Sequence, residues 1–178
     1  MLPEKARLYP FTALESAPVV MSALLRGRTS GDDLWDFRPN PERFTLREVL
    51  AHVADWDNIF LERVQRILDE DQPTLPDLDE GAIALANAYA IQDPLDNLKR
   101  WSESRPELVK LLRSRKHEDF GRIGYKAPFG AISIDAWLSL IIGHDMYHLR
   151  QTSEYIAAYE SGQTDLIATG WSSTALRK

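Results

Sequence analysis

One amphipathic segment constrains this chain most. Apolar side chains recur at helical spacing from Leu46 to about Asp69, through Val49, Leu50, Val53, Trp56, Phe60, Val64, Ile67 and Leu68. Residues three and four apart lie on one helix face, so the spacing predicts a helix of about six to seven turns. Such a stripe must be covered by partners of similar length. Its start is marked too. Thr45 and Glu48 stand three apart, the arrangement in which each side chain satisfies a backbone N–H of the other.

Matching segments follow. Leu14, Ala17, Pro18, Met21, Leu24 and Leu25 predict a first helix from about Phe11 to Leu25, kinked at Pro18 and stopped at Gly27. The turn-rich RTSGDDLWDFRPNPERF separates it from the second. QPTLPDLDEG ends the second helix, and a third region from about Glu80 to Arg115 reads as helical but interrupted. Asp93 and Pro94 have the character of cap and first turn there, and Ser104 to Pro106 mark a further kink or break. HEDFGRIGYKAPFGAI is a glycine- and proline-punctuated loop with room for a short extended segment. Ser133 then caps a long last helix, with Asp135 in its first turn. Its inward stripe runs through Ile134, Trp137, Leu138, Ile141, Leu149, Thr152, Tyr155, Ile156 and Tyr159. From about Gly162 onward (residues 162–178) periodicity is lost, and Trp171 is the expected anchor of that tail. Four long helical regions with little strand signal predict an all-α four-helix bundle, a single domain over residues 1–178.

Composition removes several function classes. The 178 residues contain no cysteine, so disulfides and thiolate ligands are excluded and a reducing compartment suits the chain. The net charge is −6, from 21 basic against 27 acidic residues, which disfavours a phosphate-backbone partner. Arg113, Arg115 and Lys116 cluster, but Glu118 and Asp119 follow at once, as a helix C-terminus would explain. No apolar run reaches the eighteen or so residues of a membrane span, and MLPEKARLYPF lacks the apolar region of a signal peptide. The expectation is a soluble cytoplasmic protein with neither nucleic-acid nor membrane partners.

Chemistry concentrates in the histidines. His144 and His148, in GHDMYHLRQ, are four apart and therefore share a helix face, within the inward stripe of the last helix. His52, between Val49 and Trp56, faces inward on the second. Imidazole is a common ligand of zinc and its neighbours, and bundle cores build metal sites from facing helices. Spacing alone leaves two readings open: a metal centre, or core histidines hydrogen-bonded to carboxylates and carbonyls. His117, beside Glu118 and Asp119, belongs to a solvent-exposed loop.

The stretches TLREVLAHVADWDNIFLERV and GHDMYHLRQ, with the helices around them, resemble the DinB-like superfamily (DinB/YfiT type) over nearly the whole chain. The resemblance implies a four-helix bundle with a long connection between the second and third helices. It also implies a divalent metal held by three histidines, whose positions match His52, His144 and His148. Zinc or nickel is the leading choice, with manganese and iron as further options. Some relatives transfer thiol cofactors, so a low-molecular-weight thiol is a further cofactor to test. The family, together with the aromatic content of five Trp, six Tyr and six Phe, implies a homodimer.

Three neutral imidazoles leave an ion its full charge and open positions for water or substrate. Asp55, three residues after His52, is the leading candidate for proton acceptor, with Glu48 the runner-up. Asp145 either orients a ligand or is solvated at the stripe's edge. Arg150 either holds an anionic substrate or forms a surface salt bridge; Tyr147 flanks the pair beside it. The expected function is a metal-dependent hydrolase or thiol S-transferase acting on a small molecule. The alternative is a non-catalytic bundle with structural histidines.

Overall fold

In the computed structural model, residues 1–127 and 129–164 are described. Their long helices are α1 (Leu8–Leu24), α2 (Leu46–Asp69), α4 (Pro94–Arg113) and α5 (Ile134–Ser161), with a short α3 (Glu80–Ala86) between α2 and α4. Both α1 and α2 pack on α4 and α5. The ring order is therefore α1–α4–α2–α5, and α2 and α5, which carry the histidines, are neighbours. The long link from Leu25 to Thr45 gives the chain length to reach the diagonal position, and on the way it buries Leu34 and Trp35.

Local signals behave as physics requires. Thr45 accepts from the Glu48 N–H and Glu48 from the Thr45 N–H, completing the capping box. Asp93 accepts from the N–H groups of Leu95 and Asp96, and Ser133 from that of Ala136. Helix α5 stops at Gly162, whose φ of 72° is the left-handed conformation that favours glycine. Other expectations need correction. Helix α1 starts three residues before Phe11, because a 3₁₀ turn over Glu4–Arg7 feeds straight into it. That turn is pinned by Arg7, whose Nε donates to Asp135 at 3.1 Å. Helix α4 runs through Pro106 as one element, so of the kink or break expected at Ser104–Pro106 the break does not occur. Buried Trp101 and Leu108 hold the two halves in one register. Tyr159, expected inside, is exposed, with its ring edge-on to Phe37. The anchoring role of Trp171 lies outside the described residues.

A hairpin, β1 (Ile123–Lys126) against β2 (Gly130–Ser133), supplies the extended segment; Ile123 pairs Ser133 and Gly124 pairs Ile132. Gly124 is needed there. A Cβ at that position would sit 2.9 Å from Ile67 Cγ1 and 3.2 Å from the Pro73 carbonyl.

The core has two main apolar clusters. One gathers Leu14, Phe60, Val64, Leu108, Trp137 and Ile141; the other gathers Met21, Trp35, Leu50, Trp101, Leu149 and Tyr155. On α4 the interval between them holds Arg105, and on α5 it holds His144, Asp145 and His148. The histidines and the Arg105–Asp145 pair thus lie together at the waist of the bundle. No described helix is long and apolar enough to cross a membrane.

Candidate metal centre

Helix α2 brings His52 to the waist and α5 brings His144 and His148, one turn apart. One ring nitrogen of each lies within 4.8 Å of the others. The Nε2 atoms of His52 and His144 are 2.9 Å apart. Around a tetrahedral ion with bonds of about 2.0–2.1 Å, nitrogens stand roughly 3.3 Å apart, a value that the observed spacings bracket. The rings pack face to edge, with His148 centroids 4.8 Å from His52 and 4.6 Å from His144. Trp56 stacks on His52 at 4.4 Å, and Phe60 meets His144 edge-on at 5.3 Å. Tyr147 is edge-on to His148 at 4.9 Å. His52 and His148 are buried, whereas His144 is partly exposed, so solvent reaches the cluster from its side.

Electrostatics suits ligation. Burial, then the neighbouring His148 and His144, holds the His52 ring well below the ordinary imidazole range. Burial and the His144 charge do the same for His148, against a hydrogen bond to Gln151. Neutral rings are what an ion requires. Under the alternative of core histidines hydrogen-bonded to carboxylates and carbonyls, Nδ1 of His52 and of His144 are buried with no hydrogen-bond partner, and their Nε2 atoms meet only each other. Only His148 has one on that side, Gln151 Oε1 at 3.1 Å. Three converging imidazoles with few competing partners form a donor set that fits a divalent ion.

The carboxylates fall elsewhere. Asp55 is outside the cluster: its Oδ2 accepts from Asn87 at 2.7 Å and from the Tyr89 hydroxyl at 2.8 Å, and its Oδ1 from Arg100 at 2.5 Å. These bonds tie the segment beyond α3 and helix α4 to α2. Burial, followed by this bond to Asp55, pushes the Tyr89 phenol above its usual range. Glu48 serves the capping box and pairs with Arg38 at 2.6 Å. Arg150 pairs with Glu154 one turn on, at 2.7 Å. His117 is exposed, as expected, and accepts from Arg7 at 2.9 Å.

Asp145 is not solvated. It is buried, and Arg105 donates to it from Nη1 at 2.5 Å and from Nη2 at 3.1 Å. Arg105 Nε also donates to Asp57 at 2.6 Å, and Ser104 Oγ to the other Asp57 oxygen at 2.7 Å. Nη1 further reaches the Leu14 carbonyl at 3.0 Å, which Pro18, lacking an N–H, leaves without its helical donor. One guanidinium thus joins α1, α2 and α5 to its own helix, α4. Burial opposes its charge, but the hydrogen bond and charge of Asp145, and then those of Asp57, hold its pKa above the ordinary value. Sequence reasoning missed Asp57, Arg105 and Gln151. A signal was present for two of them: Asp57 and Arg105 occupy apolar-stripe positions, four after Val53 and four after Trp101.

The fold has a solved counterpart. YfiT from Bacillus subtilis, described as a probable metal-dependent hydrolase with an unusual four-helix bundle topology, superposes with a TM-score of 0.81 over 91% of each chain, at 22% identity. No curated protein matches the chain in sequence. Residues 13–152, most of the chain, match the pattern of the DinB superfamily, and the chain belongs to that superfamily.

Proposed function

We propose that this protein is a metal-dependent hydrolase of small molecules, with His52, His144 and His148 as the ligands of a divalent ion. The observation that carries the reading is the convergence of three ring nitrogens within 4.8 Å in a bundle waist, two of the rings having no partner on Nδ1. The counterpart YfiT, described as a probable metal-dependent hydrolase, supports the same chemistry. Three neutral protein ligands suit a site that works on substrate, since a bound ion with open positions supplies Lewis acidity and acidifies water. The chain's own groups set the surroundings. Trp56 and Phe60 screen one side of the histidines from water. His144, partly exposed, marks the side from which a small substrate enters.

Metal analysis of untagged protein tests this directly. One equivalent of zinc or nickel is expected in the wild type, and none in His52→Ala or His148→Ala. Wild-type protein that cannot be loaded with zinc, nickel, manganese or iron would overturn the proposal. A panel of esters, amides and thiol–electrophile pairs then separates hydrolysis from thiol transfer.

A further inference from the structure

An imidazole nitrogen can hold an ion only through a lone pair, so the tautomer of each ring decides whether it is ready. Within the cluster, only His148 has its tautomer set by a hydrogen-bond partner. Its Nδ1 faces Gln151 Oε1 at 3.1 Å. The Gln151 amide is itself held from the other side, where Nε2 donates to the Phe44 carbonyl at 3.2 Å. Reversing the amide would set its oxygen against that carbonyl oxygen, two acceptors with no proton between them. The tether therefore selects the orientation with Oε1 toward the ring. An acceptor at that position requires a proton on Nδ1, which leaves the lone pair on Nε2.

Gln151 is 2% exposed, so water does not compete for the amide. Phe44 directly precedes Thr45, the cap of the helix that carries His52. Gln151 thus locks one ring of α5 against the entry of α2, across the interface where the histidines converge. By contrast, Nδ1 of His144 lies 3.8 Å from Asp145 Oδ1, beyond hydrogen-bond range. We infer that Gln151 is a positioning residue of the centre: it fixes the orientation and tautomer of His148 so that Nε2 presents its lone pair to a divalent cation. This inference rests on the metal-centre reading above.

Calorimetric titration of untagged, metal-free protein with zinc and with nickel tests it on the wild type, Gln151→Met and Gln151→Glu. Partners of this kind are worth roughly 10–100-fold in metal affinity, and Gln151→Met is expected to lose that much. Gln151→Glu keeps an acceptor for Nδ1–H but sets its second oxygen against the Phe44 carbonyl, so it is expected to retain more affinity than Gln151→Met without matching the wild type. Long-range proton–nitrogen correlation spectra of the metal-free wild type should show His148 protonated on Nδ1, a signature that a merely structural glutamine would not impose. Failure of the wild type to bind either metal overturns the metal-centre reading and this inference with it. Normal wild-type binding with unchanged affinity in Gln151→Met, or equal losses in Gln151→Met and Gln151→Glu, overturns the Gln151 assignment alone. So does a wild-type His148 protonated on Nε2, which decides the matter even if Gln151→Met fails to fold.

Discussion

Replacing Arg105 by methionine is expected to weaken the fold strongly at neutral pH and far less in mild acid. The side chain is 2% exposed and faces two carboxylates, Asp57 and Asp145, that are 1% and 3% exposed. Methionine fills much of the volume but leaves both stranded in a low-dielectric waist. Removing one partner of a buried pair typically costs about 3–5 kcal/mol. A stranded carboxylate can escape by taking up a proton. At pH 7 that means working some three units above its unfolded pKa at 1.36 kcal/mol per unit, about 4 kcal/mol. At pH 5 the same step costs about 1.5 kcal/mol. The sign follows from linkage: a carboxylate whose folded pKa is raised binds more protons folded than unfolded, so the variant's stability falls as pH rises. Loss of the donor to the Leu14 carbonyl adds roughly 1 kcal/mol at either pH. Urea unfolding of metal-free protein, followed by tryptophan fluorescence at pH 7 and pH 5, measures both quantities. For 178 residues, 4 kcal/mol corresponds to a melting shift of about 8–16 °C. Exchanging all three charged groups together, with Asp57→Asn and Asp145→Asn added, should recover most of the loss. A deficit below about 1 kcal/mol at pH 7, or one equal at both pH values, would refute the reasoning, since buried charge would then not be the cause.

Three further outcomes are expected. Because burial and neighbouring charge depress the folded pKa of His52 and His148, metal-free protein should be fully stable above the unfolded value of about 6.5 and lose stability as pH falls below it; equal urea midpoints at pH 7.5 and 5.5 would contradict this. Asp55→Asn should loosen the segment 80–91 against α2, read as faster amide exchange there, with turnover little changed; a loss of turnover on the order of a hundredfold with unchanged exchange would instead make Asp55 a proton acceptor. The homodimer implied by the family should appear in solution scattering as a mass near twice 20.3 kDa, and a monomeric mass at micromolar concentration would refute it.

The sequence by itself determined what depends on neighbours along the chain. Helical spacing and the Thr45–Glu48 cap placed α2, Asp93 and Ser133 marked the starts of α4 and α5, and the i,i+4 pair put His144 and His148 on one face. These are short-range effects, decided by 3.6-residue periodicity and by unsatisfied N–H groups at helix ends. His52 could be placed on the inward face of its helix, but its meeting with α5 depends on a ring order that crosses the diagonal, which no local rule sets. The tertiary structure alone decided the fate of the charges. Asp55 serves Arg100 and Tyr89, and Asp145 is buried against Arg105, because partners tens of residues away arrive at the right distance. It also decided that α4 continues through Pro106 and that the carbonyl freed by Pro18 finds a donor on another helix. A side chain's periodicity says which way it faces; only packing says what it meets there.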